Sequence, residues 1–166
     1  MLKRSVDMYA IGDKIVYPMH GAGVIESIEE KEILGEKKSY YIMKMPVGEM
    51  KVMIPTNCAG NVGIRDVIDK SIADKVIGFF EGDTCEQSSN WNKRYRENMI
   101  KIKSGNVFDV ADVVKHLIIR ERQKGLSTGE RKMLNSAKQI LISELVLAEN
   151  MKPDEVEELI NCKISV

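Results

Sequence analysis

The stretch Asn106–Glu149, "NVFDVADVVKHLIIRERQKGLSTGERKMLNSAKQILISELVLAE", decides the fold of the carboxyl half. Val107, Val110, Ala111, Val114, Leu117 and Ile118 recur at helical spacing, and so do Met133, Leu134, Ala137, Ile140, Leu141, Leu145 and Ala148. Between the two stripes lies "KGLSTGE". Gly125 is placed to close one helix, and Ser127 with Glu130 three residues later has the spacing of a capping box that opens the next. Asn106 is a candidate cap for the first helix. Each helix has one apolar face, so neither is stable alone and the pair must share a core.

Working outward, "SSNWNKRYRENMIKIKSG" (Ser88–Gly105) reads as a preceding helix that starts at Trp91, capped by Ser89 or Asn90 and stopped at Gly105. "KSIADKVIGFF", from near Asp69, reads as a shorter one, and Pro153 stands at a favoured first-turn position for a last, acidic helix. Upstream of Pro55 the pattern changes to β-rich runs punctuated by turns. "KIVYP", "VIESIEEKEI", "YYIMKM" and "MKVMIP" are separated by "HGAG" and "LGEKK", and "GIRDVI" offers a fifth strand. So many short strands in so little chain form a small antiparallel barrel or a strongly bent sheet. The fold class is therefore α+β, with domains expected at 1–68 and 69–166.

Composition limits the function. An apolar fraction of 43% with 30% charged residues describes a globular chain. No segment approaches the ~20 apolar residues of a membrane span and the amino end lacks a signal-peptide core, so a cytoplasmic location is expected. Cys58, Cys85 and Cys162 are scattered without a C-x-x-C pair, which indicates neither a disulfide framework nor a zinc site. His20 and His116 have no nucleophile motif nearby, and there is no phosphate-loop sequence, so no enzyme, cofactor or metal is expected. Met43, Met45, Met50 and Met53 suit an irregular small core, with an exposed subset available to a binding edge.

The net charge of zero hides a division: Trp91 to Lys138 holds twelve Lys and Arg against five Asp and Glu, a net of +7. Such a window is either a set of solvated helix faces or a surface for a polyanion. Trp91, the only tryptophan, is either a core anchor or an apolar wedge set among cations that hold phosphates. The basic ends of three helices could meet on one surface.

The blocks "GDKIVYPMHGAGVIESIE", "GEKKSYYIMK", "VMIP" with "VGIRDVI", "NWNKRYREN" and "VVKHLIIRERQKGLSTGERKMLNSAKQILISELVLAE" together resemble the CarD/CdnL family of bacterial transcription regulators, in order from about Ile11 to Glu149. The resemblance implies an amino-terminal Tudor-like β-barrel that binds the RNA polymerase β subunit. It also implies a helical domain that contacts promoter DNA at the upstream edge of the melted bubble, largely independently of sequence. It carries a minor-groove wedge onto Trp91 and basic positions on or near the DNA face onto Arg94, Arg96, Arg120 and Arg131; Lys132, in the same basic window, is a further DNA-binding candidate. Strand pairing to polymerase falls on Val52, Met53, Ile54 and Pro55, with Lys31 nearby. Met53 and Lys31 stand where many relatives have arginine, so the expected contact to polymerase at Met53 is apolar in place of an Arg-dependent ion pair.

The expected function is a non-enzymatic, monomeric regulator of open-complex stability. A self-sufficient helix-turn-helix repressor and a pure protein adaptor are the rival readings. Target genes and the sign of regulation are not written in the sequence.

Overall fold

The computed structural model describes residues 9–58, 63–84 and 86–165. Readings that fall on the first eight residues, on Cys85 and on the Cys58 side chain lie outside the described residues. The chain is α+β. Among the described residues, strands β1 (Lys14–Tyr17), β2 (Gly21–Ile33), β3 (Glu36–Lys44), β4 (Lys51–Pro55) and β5 (Arg65–Asp66) precede five α-helices. These are α1 (Lys70–Phe79), α2 (Trp91–Lys103), α3 (Val107–Gln123), α4 (Thr128–Glu149) and α5 (Pro153–Lys163).

The strands form one antiparallel sheet in the order β4-β3-β2-β1-β5. The expected barrel is not closed. β5 has only two residues and pairs only with β1, and β4 pairs only with β3, so among the described residues nothing joins the two ends. A bulge between Ile25 and Ser27 bends β2, which brings a small core of Ile15, Ile25, Tyr41, Met43, Met45, Ile54 and Ile64 under the curve. Met43 and Met45 are in that core, whereas Met50 and Met53 are exposed. Beyond Tyr40, where β4 ends, β2 and β3 continue as a two-stranded arm. Its tip turns through Leu34 (φ 54°) and Gly35 (φ 80°), the pair of positive angles a two-residue hairpin requires.

The helices follow from their caps and stripes. Asn90 Oδ1 accepts from the Lys93 N–H, Asn106 Oδ1 from Phe108 and Asp109, and Ser127 Oγ from Glu130. Gly105 and Gly125 end their helices at positive φ, and Pro153 opens α5. The two stripes of the opening stretch face each other, and α1, α2 and α5 close over them around Ala111, Val114, Leu117, Ala137, Leu141 and Leu145. No described helix is long and apolar enough to cross a membrane. The amino end of β2 packs on α4, where the buried Ala22 N–H donates to Ser143 Oγ at 2.8 Å. Arg65 of β5 pairs with Glu144 beside it.

Candidate nucleic-acid and protein interfaces

Trp91 is the first residue of α2 and is 40% exposed. One face of its indole stacks on Tyr95, one turn along the helix, with ring centroids 4.9 Å apart and 18° between planes. Its Nε1–H donates to Ser127 Oγ at 3.0 Å. Its six-membered ring lies so close to Gly129 that a Cβ there would come within 3.3 Å of it. The residue is therefore neither a core anchor nor a free side chain. It is a half-exposed ring fixed by a stack, a hydrogen bond and a glycine at the start of α4.

Beneath it lies a buried ion pair. Arg94 is only 2% exposed, and its Nε and Nη2 donate to the two oxygens of Glu130 (2.8 and 3.2 Å) while Nη1 donates to the Ser88 carbonyl (2.9 Å). Glu130 is equally buried. Burial pushes the Glu130 carboxyl up, but the hydrogen bond and charge of Arg94, with the charge of Arg120 and the Ser127 bond, outweigh it and hold the group below its usual range. Arg94 thus departs from its expected place on the DNA face: its guanidinium is spent inside, holding the loop before α2 against the start of α4. Glu130 departs too, because its carboxylate takes Arg94 in place of closing the second half of a capping box.

The other basic candidates are spread. Arg131 is exposed, with Nη2 donating to the Leu126 carbonyl (3.5 Å) and Nη1 3.7 Å from Glu121. Lys132 is exposed and follows Gly129 by three residues, so it stands one turn along α4 from the indole. Arg120 is half-buried, with Nε 3.9 Å from Glu130, in a polar cleft that it shares with Gln87, His116 and Lys124. Arg96 is exposed but five residues beyond Trp91, about 140° round the helix. It does not share the indole's side of α2.

Much of the basic window is used internally. Lys101 pairs with Asp112 and Lys138 with Glu157, Lys115 donates to the Phe79 and Gly82 carbonyls at the end of α1, and Arg122 caps the end of α5 at Asn161 and Ile164. Lys93, Arg96, Lys103, Lys124 and Lys132 meet no acid among the described residues. Tyr95 and Gly129 are supports that sequence reasoning missed, and Ser127 and Glu130, which it placed only as a helix cap, support Trp91 and Arg94 as well.

The expected protein-binding segment is the free edge of the sheet. Directly opposite residues share a face, so the pairs Ile42–Met53, Tyr40–Pro55 and Lys31–Lys38 put Met53, Pro55 and Lys31 on the same outer side. Met53 is 43% exposed there. Ile54 is fully buried in the sheet's core and Val52 packs against it, so these two contribute backbone and not side-chain contact. Hydrogen bonding alternates along the strand. The Met45 N–H bonds to the Met50 carbonyl at 2.8 Å, and the same register makes Met43–Val52 and Tyr41–Ile54 the bonded pairs. Lys51 and Met53 therefore turn their N–H and C=O groups to the open edge. Lys31, on the arm, is 3.3 Å from Glu29.

Both halves match known families. The family model described as the CarD-like/TRCF RID domain matches residues 9–68, and the model described as the CarD C-terminal domain matches residues 75–161. A protein of Bacillus subtilis (strain 168), named "Putative transcription factor YdeB", is 41% identical over 150 residues, which span 90% of this chain and 98% of that one. With an open β-edge module in front, a helical module carrying a fixed indole behind, and a relative matched over nearly its full length, the chain belongs to the CarD/CdnL family.

Proposed function

We propose that this chain is a transcription regulator that binds the RNA polymerase β subunit through the β4 edge and promoter DNA through the surface around Trp91, and so changes open-complex stability. Family membership and the name of the Bacillus relative support the broad reading. The observation that carries the finer one is the mounting of Trp91. A side chain this apolar is held half-exposed by three separate contacts, with Lys132 one turn away on the neighbouring helix. Apolar wedges act at base steps that are unstacked or kinked, while cations nearby hold phosphates.

The division of labour follows the chain: residues 1–68 dock on polymerase and residues 69–166 meet DNA. Strand addition uses the outward groups of Lys51 and Met53, with the exposed Met53 side chain and the arm bearing Lys31 on the flank. A self-sufficient helix-turn-helix repressor is less well supported, because the first turn of α4 is covered by the indole at Gly129 and holds a buried Glu130, which leaves little of it for a major groove. Sequence preference is then slight, since polymerase places the protein.

The test is a promoter-dissociation assay with purified polymerase. Wild type is expected to alter open-complex lifetime, and Trp91→Ala to lose most of that effect while keeping polymerase affinity. A well-folded Trp91→Ala with the full effect would refute the role of the ring.

A further inference from the structure

The two proposed surfaces lie on different halves, so bridging depends on what holds the halves at one angle. One seam carries that connection. Arg65 of β5 donates through Nη1 and Nη2 to both oxygens of Glu144 in α4 (2.7 and 2.8 Å) and through Nε to the Gly105 carbonyl between α2 and α3 (2.9 Å). The Glu144 side chain is 2% exposed and takes a third bond from the Ile68 N–H at 3.0 Å. Beside it the Ala22 N–H bonds to Ser143 Oγ, and Gly21 (φ +122°) holds a backbone conformation that strains any side chain, with a Cβ placed 2.7 Å from Ser143 Oγ and 2.8 Å from Met45 Cε.

One guanidinium therefore ties together the far edge of the sheet, the helix whose first turn supports the indole, and the end of the helix that begins with Trp91. Its chemistry suits geometry better than adhesion. An ion pair with its carboxylate buried and its guanidinium partly exposed adds little net stability. A planar fork meeting a carboxylate through two parallel bonds, however, fixes both distance and orientation, which a sliding apolar contact does not. We propose that Arg65 and Glu144 are positioning residues: their pair sets the angle between the polymerase edge and the Trp91 surface. This rests on the bridging function proposed above.

The test uses the full chain and three variants. Arg65→Met/Glu144→Gln removes the charges together, so no buried carboxylate is stranded, and leaves an amide that can still accept from Ile68. Arg65→Lys keeps the charge without the fork. Gly21→Ala opens the same seam at a separate point, by backbone strain at a positive φ together with pressure on Ser143 and Met45. Each is assayed for amide exchange, polymerase affinity, duplex-DNA affinity and open-complex lifetime.

The expected result is exchange about tenfold faster at Ala22 and Ile68 with the α3 and α4 core amides unchanged. Both separate affinities should stay within about twofold, with the lifetime effect reduced about tenfold in all three variants. Unchanged exchange at Ala22 and Ile68 overturns the latch. A loosened seam with a full lifetime effect overturns its function, and so does full function in Arg65→Lys, which would make charge sufficient. Loss of either separate affinity makes the pair a folding element of one surface. If wild type itself neither binds polymerase nor alters lifetime, the bridging function fails and the positioning role with it, whereas the other failures leave bridging intact.

Discussion

Replacing Arg94 by methionine tests the central reassignment, from DNA contact to internal support. In the wild type the Arg94 guanidinium makes three hydrogen bonds, two of them to a carboxylate as buried as itself. Arg94→Met keeps the apolar stem but strands Glu130, whose next cation, Arg120, has its Nε 3.9 Å away. Breaking a buried pair from one side costs about 3–5 kcal/mol, because the remaining charge is uncompensated. In a chain of this length each kcal/mol moves the melting temperature by about 2–4 °C, so a fall of roughly 6–20 °C is expected. Arg94→Met/Glu130→Met removes both charges and should recover to within about 2 kcal/mol of wild type.

The DNA side of the same experiment separates the two roles. Each phosphate contact contributes about −0.9 to the slope of log affinity against log salt. An internal Arg94 contributes nothing, so the double variant, melting near wild type, should show the wild-type slope. Thermal melts by circular dichroism and fluorescence anisotropy with a short duplex at several salt concentrations give both quantities. An Arg94→Met protein that melts like wild type and loses about 0.9 of slope would refute the internal role.

Trp91→Ala removes one ring stack, one exposed hydrogen bond and the partial burial of a residue that is 40% exposed, so its cost should be about 2–3 kcal/mol, below the roughly 3–5 kcal/mol of a fully buried aromatic; melts should register that intermediate loss. Met53→Pro removes an N–H that faces the open edge and should lower polymerase affinity in a pull-down with the fold retained, whereas Val52→Pro breaks the β3–β4 ladder and should melt the sheet. Arg131→Ala and Lys132→Ala should each flatten the salt slope by about 0.9, with no preference among unrelated duplexes. On the acid side, Asp112 is pushed up by burial, but its bonds to His116 and Lys101 outweigh that and bring it down to about 2. A depressed carboxyl stabilises the fold above its unfolded pKa and loses that contribution as pH falls through the folded one, so Asp112→Asn should flatten the decline in melting temperature between about pH 4 and pH 2.

The readable part of this molecule was local. The stripes of α3 and α4, the caps at Asn90, Asn106 and Ser127, and Pro153 at the head of α5 depend on neighbours in sequence, and each is where the spacing put it. What the sequence hid depends on distance. Whether β4 meets β5 is a long-range closure that strand patterns do not encode. The Arg65–Glu144 pair joins residues 79 apart, and neither charge interrupts its local pattern in a way that marks it as paired across the fold. Arg94 was hidden differently: the inner face of α2 is Arg94, Asn98 and Ile102, so two of its three buried positions are polar and hydrophobic periodicity points elsewhere. The one available signal was Glu130, a carboxylate at a helix start that a cap alone does not exhaust.

The mounting of Trp91 also limits what the ring can do to DNA. Full intercalation needs two free aromatic faces, and one face here is already covered by Tyr95. The ring can therefore offer DNA its other face and an outer edge, and lie against a base or sugar at a step that something else has opened. Forcing a closed step apart costs a few kcal/mol, which a one-sided contact does not return; at a step already unstacked that cost is absent. Fixing the ring beforehand works in the same direction. A free side chain would lose about 0.5–1.5 kcal/mol of rotamer freedom on binding, and the Ser127 bond and Gly129 contact have already taken that loss in the folded protein. On the proposed function, such a ring would discriminate between relaxed and distorted DNA by geometry, with no need to read a base. On the proposed function, that difference in affinity is the whole source of its effect, since a ligand shifts the closed-to-open equilibrium only by as much as it prefers one state.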